Sequence, residues 1–156
     1  VDAWRGDAVL VDVDGTLVDV SSVRHHVILT HPENRGYRDY TAFHRAASWC
    51  PPIKAVVDAV AAEKACGRAV LIMTARKEAW KPHTIGWLDG LVEWEEIYMR
   101  ADCDDRPDAA VKADLLRKVR ARGWNVVRAY DDNPSIIKLW KMEGIPVIEV
   151  PGWYPE

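Results

Sequence analysis

"VLVDVDGTLVDV", residues 9–20, sets two carboxylates, Asp12 and Asp14, at the end of an apolar run of the kind that builds a buried strand. The run from Ala8 to Val13 is short and Val-rich and closes at Asp14-Gly15, which predicts a strand covered on both faces and ended by a turn. A buried carboxylate is costly unless something pairs with it. The rest of the chain must supply what stands opposite the two acids.

Four further runs resemble the first: Ala69 to Met73, Glu96 to Met99, Val126 to Tyr130 and Pro146 to Val150. Each follows a stretch with helical signals. Ile53, Val56, Val57 and Val60 recur at i, i+3, i+4 and i+7 after Pro51-Pro52, and Gly67 sits where that helix should stop. A second helix is predicted between Lys77 and Asp89, with Trp80, Trp87 and Leu88 toward the core, although Pro82 and Gly86 weaken it. Asp108 to Arg122 carries Val111, Leu115 and Val119 on one stripe and runs through basic residues into Gly123. Asn133-Pro134 opens a last helix through Ile136, Ile137 and Trp140 to Gly144. Alternating strands and helices predict an α/β fold with a parallel sheet and helices on both faces. The polar stretch from Ser21 to Cys50 is too long for an ordinary connection and is expected to form a flap or small cap insert over the site.

The remaining composition narrows the classes. The chain has 156 residues, enough for one compact domain, with no low-complexity block to mark a second. A net charge of −3 and a pI of about 6.0 argue against coating nucleic acid by bulk electrostatics, so any such contact would be local. Cys50, Cys66 and Cys103 have no metal-ligand spacing and read as reduced cytosolic thiols. No run approaches the roughly 20 apolar residues of a membrane span, so no membrane partner and a cytoplasmic location are expected. The opening "VDAW" lacks an initiator Met and suggests a chain trimmed or cut from a longer one.

In open α/β sheets ligands sit beyond the carboxyl ends of the strands. The first strand ends in Asp12-Val13-Asp14, the second in Thr74-Ala75-Arg76 and the fourth in Asp131-Asp132, while Lys112 lies in the first turn of the helix after the third. Carboxylates gathered this way need a compensating charge, and oxygen-only ligands favour a hard cation such as Mg²⁺, with the Lys112 ammonium beside it. Gly15 supplies the tight turn, and Thr16 adds a hydroxyl and an amide near a bound anion. Blander readings exist for each. Asp-x-Asp-Gly also opens calcium loops, but those want a third acidic position and a bidentate Glu. Lys112 alone could be a solvated helix lysine, Thr74 a strand-end hydroxyl, and "RADCDDRPD" (100–108) a solvated loop with an internal ion pair.

The histidines, His25, His26, His31, His44 and His83, are scattered without a zinc-site pattern and are expected at surface or cap positions. His25 and His26 are candidates for touching substrate from the flap. Most of the eight tryptophans should be core, with Trp49 and Trp153 the ones placed to stack on a base.

"DVDGTL", Thr74 after an apolar strand, Lys112 in a helix and "DDNPS" are, in order, the four motifs of haloacid dehalogenase-like phosphohydrolases, and the chain resembles that family. The resemblance implies a Rossmann-like three-layer sandwich with a parallel five-stranded sheet and a small cap insert. "YMRADCDDRPDAAVKADLL" and "AYDDNPSIIKLWKMEGIPVIEV" look more specifically like the 3′-phosphatase domain of bacteriophage and bacterial polynucleotide kinase/phosphatases. "DYTAFHRAASWCPPI" is similar to that family's cap segment. No G-x-x-x-x-G-K-[ST] is present, so only the phosphatase half is implied, with a kinase or ligase domain conceivable on a longer parent chain.

That resemblance implies a division of labour. Asp12 would attack phosphorus to form an aspartyl-phosphate, and Asp14 would serve as acid and then base. Mg²⁺ would be held by Asp12, the backbone carbonyl of Asp14 and Asp131, with Asp132 supporting the metal shell or orienting Lys112. Thr74 and Lys112 would bind phosphoryl oxygens, and Gly15, Thr16, Arg76, Arg100 and Arg106 are the further substrate-binding candidates. The implied substrate is a 3′-phosphate on a DNA or RNA end. A nucleotidase or small-molecule phosphatase on the same core, and a non-catalytic module that binds phosphorylated ends, are the alternatives.

Overall fold

The computed structural model describes residues 3–28 and 38–153. Strand β1 spans Gly6–Val11 and is followed by a single 3₁₀ turn at Arg24–Val27 and helix α1, Tyr40–Ala47. Then come α2 (Lys54–Ala65), β2 (Ala69–Lys77), α3 (Lys81–Leu88) and β3 (Glu96–Arg100). The chain continues through α4 (Asp108–Ala121), β4 (Trp124–Asp131), α5 (Pro134–Met142) and β5 (Val147–Glu149). The five strands pair in the order β3-β2-β1-β4-β5, every pair parallel.

Alternate side chains of the central strand feed two cores, as strand geometry requires. Val9 and Val11 pack with Val70, Ile72 and Tyr130 under α1, α2 and α3, through Phe43, Val56, Val60 and Leu88. Ala8 and Leu10 pack with Leu71, Met73 and Ala129 under α4 and α5, through Val111, Leu115, Val119, Ile136 and Trp140. The expected α/β sandwich is therefore the observed one, with β1 buried on both faces.

Several boundaries differ from expectation. β1 stops at Val11 rather than Val13, because the Val13 carbonyl turns away to accept from the amides of Thr16, Leu17 and Val18. β2 runs past Met73 to Lys77, and a register shift lets Lys77 pair opposite Arg100, so Thr74 and Arg76 lie within the strand. Pro82 occupies the first turn of α3, where its missing N–H costs nothing, so it starts that helix rather than breaking it. Within the expected flap, Asp39 caps α1 by accepting from the Ala42 amide at 3.0 Å.

The tryptophans are less buried than expected. Trp140 is fully enclosed, whereas Trp4, Trp49 and Trp153 are exposed. Trp87, Trp94 and Trp124 are half-buried against the two cores. Large rings near helix ends and loops cover the core edge more often than they fill its centre. Among the described residues, no helix is long and apolar enough to cross a membrane.

Candidate active site

β1 and β4 are neighbours, so the residues just beyond or at their carboxyl ends come together. The Asp12 amide donates to the Tyr130 carbonyl at 3.1 Å, which fixes Asp12 beside Asp131. Lys112, 2% exposed in the first turns of α4, points its ammonium between them. Its Nζ donates to Asp12 Oδ1 at 2.9 Å and to Asp131 Oδ2 at 2.8 Å. Thr16 Oγ1 stands 3.2 Å from Asp12 Oδ2 and 3.1 Å from Asp132 Oδ1, so its one proton serves one of them at a time.

Charge does not balance in this cluster. Asp12, Asp131 and Asp132 are all buried and each offers an oxygen within 4.8 Å of the others. Burial would push the Lys112 ammonium down, but the carboxylates of Asp12 and Asp131 outweigh it and hold the group above its ordinary value. Burial, together with the charge of Asp12, raises Asp131, and the same causes with Asp131 added raise Asp132. Asp132 Oδ2 is buried with no hydrogen-bond partner, although an Arg24 nitrogen lies 3.6 Å away. Three oxygen donors, one of them orphaned, and a single enclosed ammonium suit a hard divalent cation.

Asp14 does not join that cluster through its side chain. Arg76 takes it in a fork, Nε to Oδ2 at 2.9 Å and Nη2 to Oδ1 at 2.5 Å, while Nη1 donates to Thr84 Oγ1 at 3.1 Å. Burial alone would raise Asp14, yet the Arg76 charge and hydrogen bonds hold it below the usual carboxylate range. Thr74 is buried and accepts from the Arg76 amide at 3.1 Å.

Gly15 has a positive φ of 79°, and a Cβ there would lie 2.0 Å from Asp132 Oδ2. Gly152 presses against the same turn, since a Cβ on it would lie 1.8 Å from the Gly15 carbonyl oxygen. Arg24 ties the two segments: its Nη2 donates to the Gly152 carbonyl at 3.2 Å, and its guanidinium lies 5.1 Å from the centre of the Trp153 ring.

A cavity of about 390 Å³ opens onto Asp12, Asp14, Thr74, Arg76, Lys112, Asp131 and Asp132. Residues between the first strand and α2 close its other side, including Arg24, Arg38, Tyr40, Phe43 and His44. Asp108 and Trp153 line it as well.

Arg100 and Arg106 are not brought to the cavity. Arg100 donates to the carbonyls of Ala75, Asp104 and Arg106 and, at 2.6 Å, to Asp108 Oδ1, so it organises the loop before α4 from behind. Arg106 pairs with Asp104 and Asp114 on the surface. The loop's carbonyls need donors, and these guanidiniums supply them. The acidic-basic stretch is thus largely an internally paired loop.

His44 lies within the expected cap segment and is buried there, with Nδ1 unpartnered. Burial pushes its imidazole down to about 4 against the pull of Asp14. Its ring stacks on Tyr40 and tilts against Trp80. His25 and His26 do not line the cavity, and His31 lies outside the described residues. Arg24, His44 and Asp108 are cavity residues that sequence reasoning did not select. The i, i+4 spacing of Tyr40 and His44 was the available signal for one of them.

The parallel sheet with helices on both faces and the aspartates at its carboxyl edge define a haloacid dehalogenase-like fold. The structure of a haloacid dehalogenase-like hydrolase from Streptococcus pneumoniae superposes with a TM-score of 0.64 at 13% identity, over 92% of this chain and 83% of the other. More specifically, the chain belongs to the family of the polynucleotide kinase PNKP phosphatase domain, whose model matches residues 6–152. It is a phosphatase domain.

A protein of Autographa californica nuclear polyhedrosis virus, provisionally named a bifunctional polynucleotide kinase/RNA ligase, is 24% identical over 147 residues. The match covers 90% of this chain and 19% of the viral protein. The Pnkp1/Rnl/Hen1 RNA repair complex contains a chain that superposes with a TM-score of 0.75 at 21% identity, over 96% of this chain and 44% of that one. The chain therefore spans less than half the length of these two relatives.

Proposed function

We propose that the domain is a Mg²⁺-dependent phosphomonoesterase that removes 3′-phosphates from polynucleotide ends through an aspartyl-phosphate. The observation that carries this reading is the placement of Lys112 between Asp12 and Asp131, with an unpartnered oxygen of Asp132 beside them. Family membership supplies the polynucleotide half of the reading.

Asp12, Asp131 and Asp132 would hold the cation, with the Asp14 carbonyl as a further ligand, and the ion supplies neutralisation of the charge between nucleophile and phosphate. Lys112 donates to Asp12 Oδ1 at 2.9 Å and so holds the carboxylate in place for attack. One Asp12 oxygen bonds to phosphorus as the bond to the 3′-oxygen breaks, and Asp14 gives that oxygen its proton. Water then attacks the same phosphorus, passes a proton to Asp14, and the Asp12–phosphorus bond breaks.

Asp14 rests as a carboxylate, so it must gain a proton before the first transfer. The Arg76 fork can leave Asp14 for the phosphoryl oxygens, which guanidinium geometry suits, and burial then raises the released carboxyl. Thr74 and Thr16 bind the phosphoryl group with it. The segment 21–50 serves as a small cap, which its side chains along the cavity support. A kinase or ligase on a longer parent chain fits relatives longer than this domain. A cytoplasmic location fits the unpaired cysteines.

The test is phosphate release with Mg²⁺ from matched oligonucleotides carrying a 3′- or a 5′-phosphate, beside a 3′-mononucleotide and an Asp12→Asn blank. Release from the 3′-phosphate oligonucleotide alone supports the reading. Preference for the mononucleotide indicates a small-molecule phosphatase, and no release from any substrate indicates a binding module.

A further inference from the structure

A second concavity, of about 870 Å³, runs along α5 and meets the active-site cavity, for Asp132 and Trp153 line both. Its cationic side is Lys138 and Lys141, one helical turn apart on α5, and its apolar side includes Met142, which is 77% exposed. Lys141 is held by Glu149 at 3.1 Å, but both side chains are more than half exposed, where such a pair is weak and a phosphate can displace the carboxylate. Trp153 stands at the junction, 40% exposed, with one part of its ring against Arg24.

We infer that this groove carries the single strand upstream of the 3′-phosphate, its backbone phosphates on Lys138 and Lys141 and a base stacked on Trp153. The inference rests on the function proposed above. Two features select this occupant. Cations line a channel that opens directly beside the phosphate-handling residues, and an aromatic ring at the junction can accept any base face. A domain of net charge −3 has no general attraction for polyanions, so a local pair of lysines leading from the site is the way a strand could be guided. The site then recognises a polymer end rather than an isolated nucleotide.

The test measures kcat/KM on 3′-phosphorylated single strands of one, two, four and eight nucleotides for the wild type and for Lys138→Glu/Lys141→Glu. The expected result is a gain of about tenfold or more from one to four nucleotides that the double variant largely removes. The slope of log KM against log salt on the longer strands should flatten by about 0.7 for each lysine lost. Trp153→Ala should lose about tenfold on the longer strands, with Trp153→Phe recovering most of it, as expected of stacking. Thermal melts of the variants guard against misfolding. Equal kcat/KM at all lengths, or a length gain that survives the double variant, overturns the groove while leaving 3′-phosphatase activity standing. Hydrolysis of small phosphomonoesters with no release from any 3′-phosphorylated strand overturns both readings.

Discussion

Arg76 grips both carboxylate oxygens of Asp14, at 2.9 and 2.5 Å, and is itself anchored by Thr84. Arg76→Lys keeps the charge and loses the fork. If the fork passes from Asp14 to the phosphoryl group, kcat should fall by about 10²-fold or more with a smaller change in KM. Asp14→Asn should fall by about 10²–10⁴-fold, the range of a lost acid-base group. Steady-state rates on a 3′-phosphate oligonucleotide check both.

Removing the ammonium between Asp12 and Asp131 leaves buried charge uncompensated. Lys112→Met should abolish turnover and destabilise the metal-free protein by about 3–5 kcal/mol. Urea unfolding in EDTA measures the loss. A change below about 1 kcal/mol would contradict the tight coupling of these groups.

Adding Mg²⁺ should raise the melting temperature of the wild type, since a ligand at 100 times its Kd stabilises by about 2.7 kcal/mol. Asp132→Asn should shrink that rise. An equal rise in the variant would place the cation away from the unpartnered oxygen.

Gly15→Ala forces a Cβ to 2.0 Å from an Asp132 oxygen at a φ of 79°. Strain of about 1–3 kcal/mol and a loss of phosphatase activity are expected. Gly152→Ala should act on the same turn from outside, because its Cβ meets the Gly15 carbonyl. Paired melting curves and rates test whether the two variants fail together.

Away from the site, Glu63 is buried and accepts from Arg68, Arg128 and the Tyr130 hydroxyl. Burial would raise its carboxyl, but the hydrogen bonds from Arg68, Tyr130 and Arg128 lower it below its ordinary value. A depressed folded value means that the stabilisation is complete above the unfolded value of about 4.3 and fades as pH falls through the lower folded one. Glu63→Gln should therefore cost about 2 kcal/mol at pH 7, with the difference narrowing below about pH 4. Urea titrations at several pH values follow it.

Much of this arrangement was legible in the sequence. Short apolar runs located all five strands, and a parallel sheet sends its strand ends to one edge, which is why Asp12, Thr74, Lys112, Asp131 and Asp132 could be grouped without coordinates. Arg24 was not legible, because the direction of a side chain between two elements is set by what it packs against. Arg100 illustrates the converse. An arginine at a strand end reads as an anion ligand, yet here loop carbonyls and Asp108 claim its donors, and no local pattern announces that claim.

The contact between Gly152 and the Gly15 turn also bears on the order of events during synthesis. Residues 12–16 leave the ribosome well before the backbone of residue 152, which braces their turn. A nascent chain therefore holds the turn at Gly15 unbraced until residue 152 has emerged. Stalled or truncated products should accumulate with a folded sheet and a slack, inactive loop.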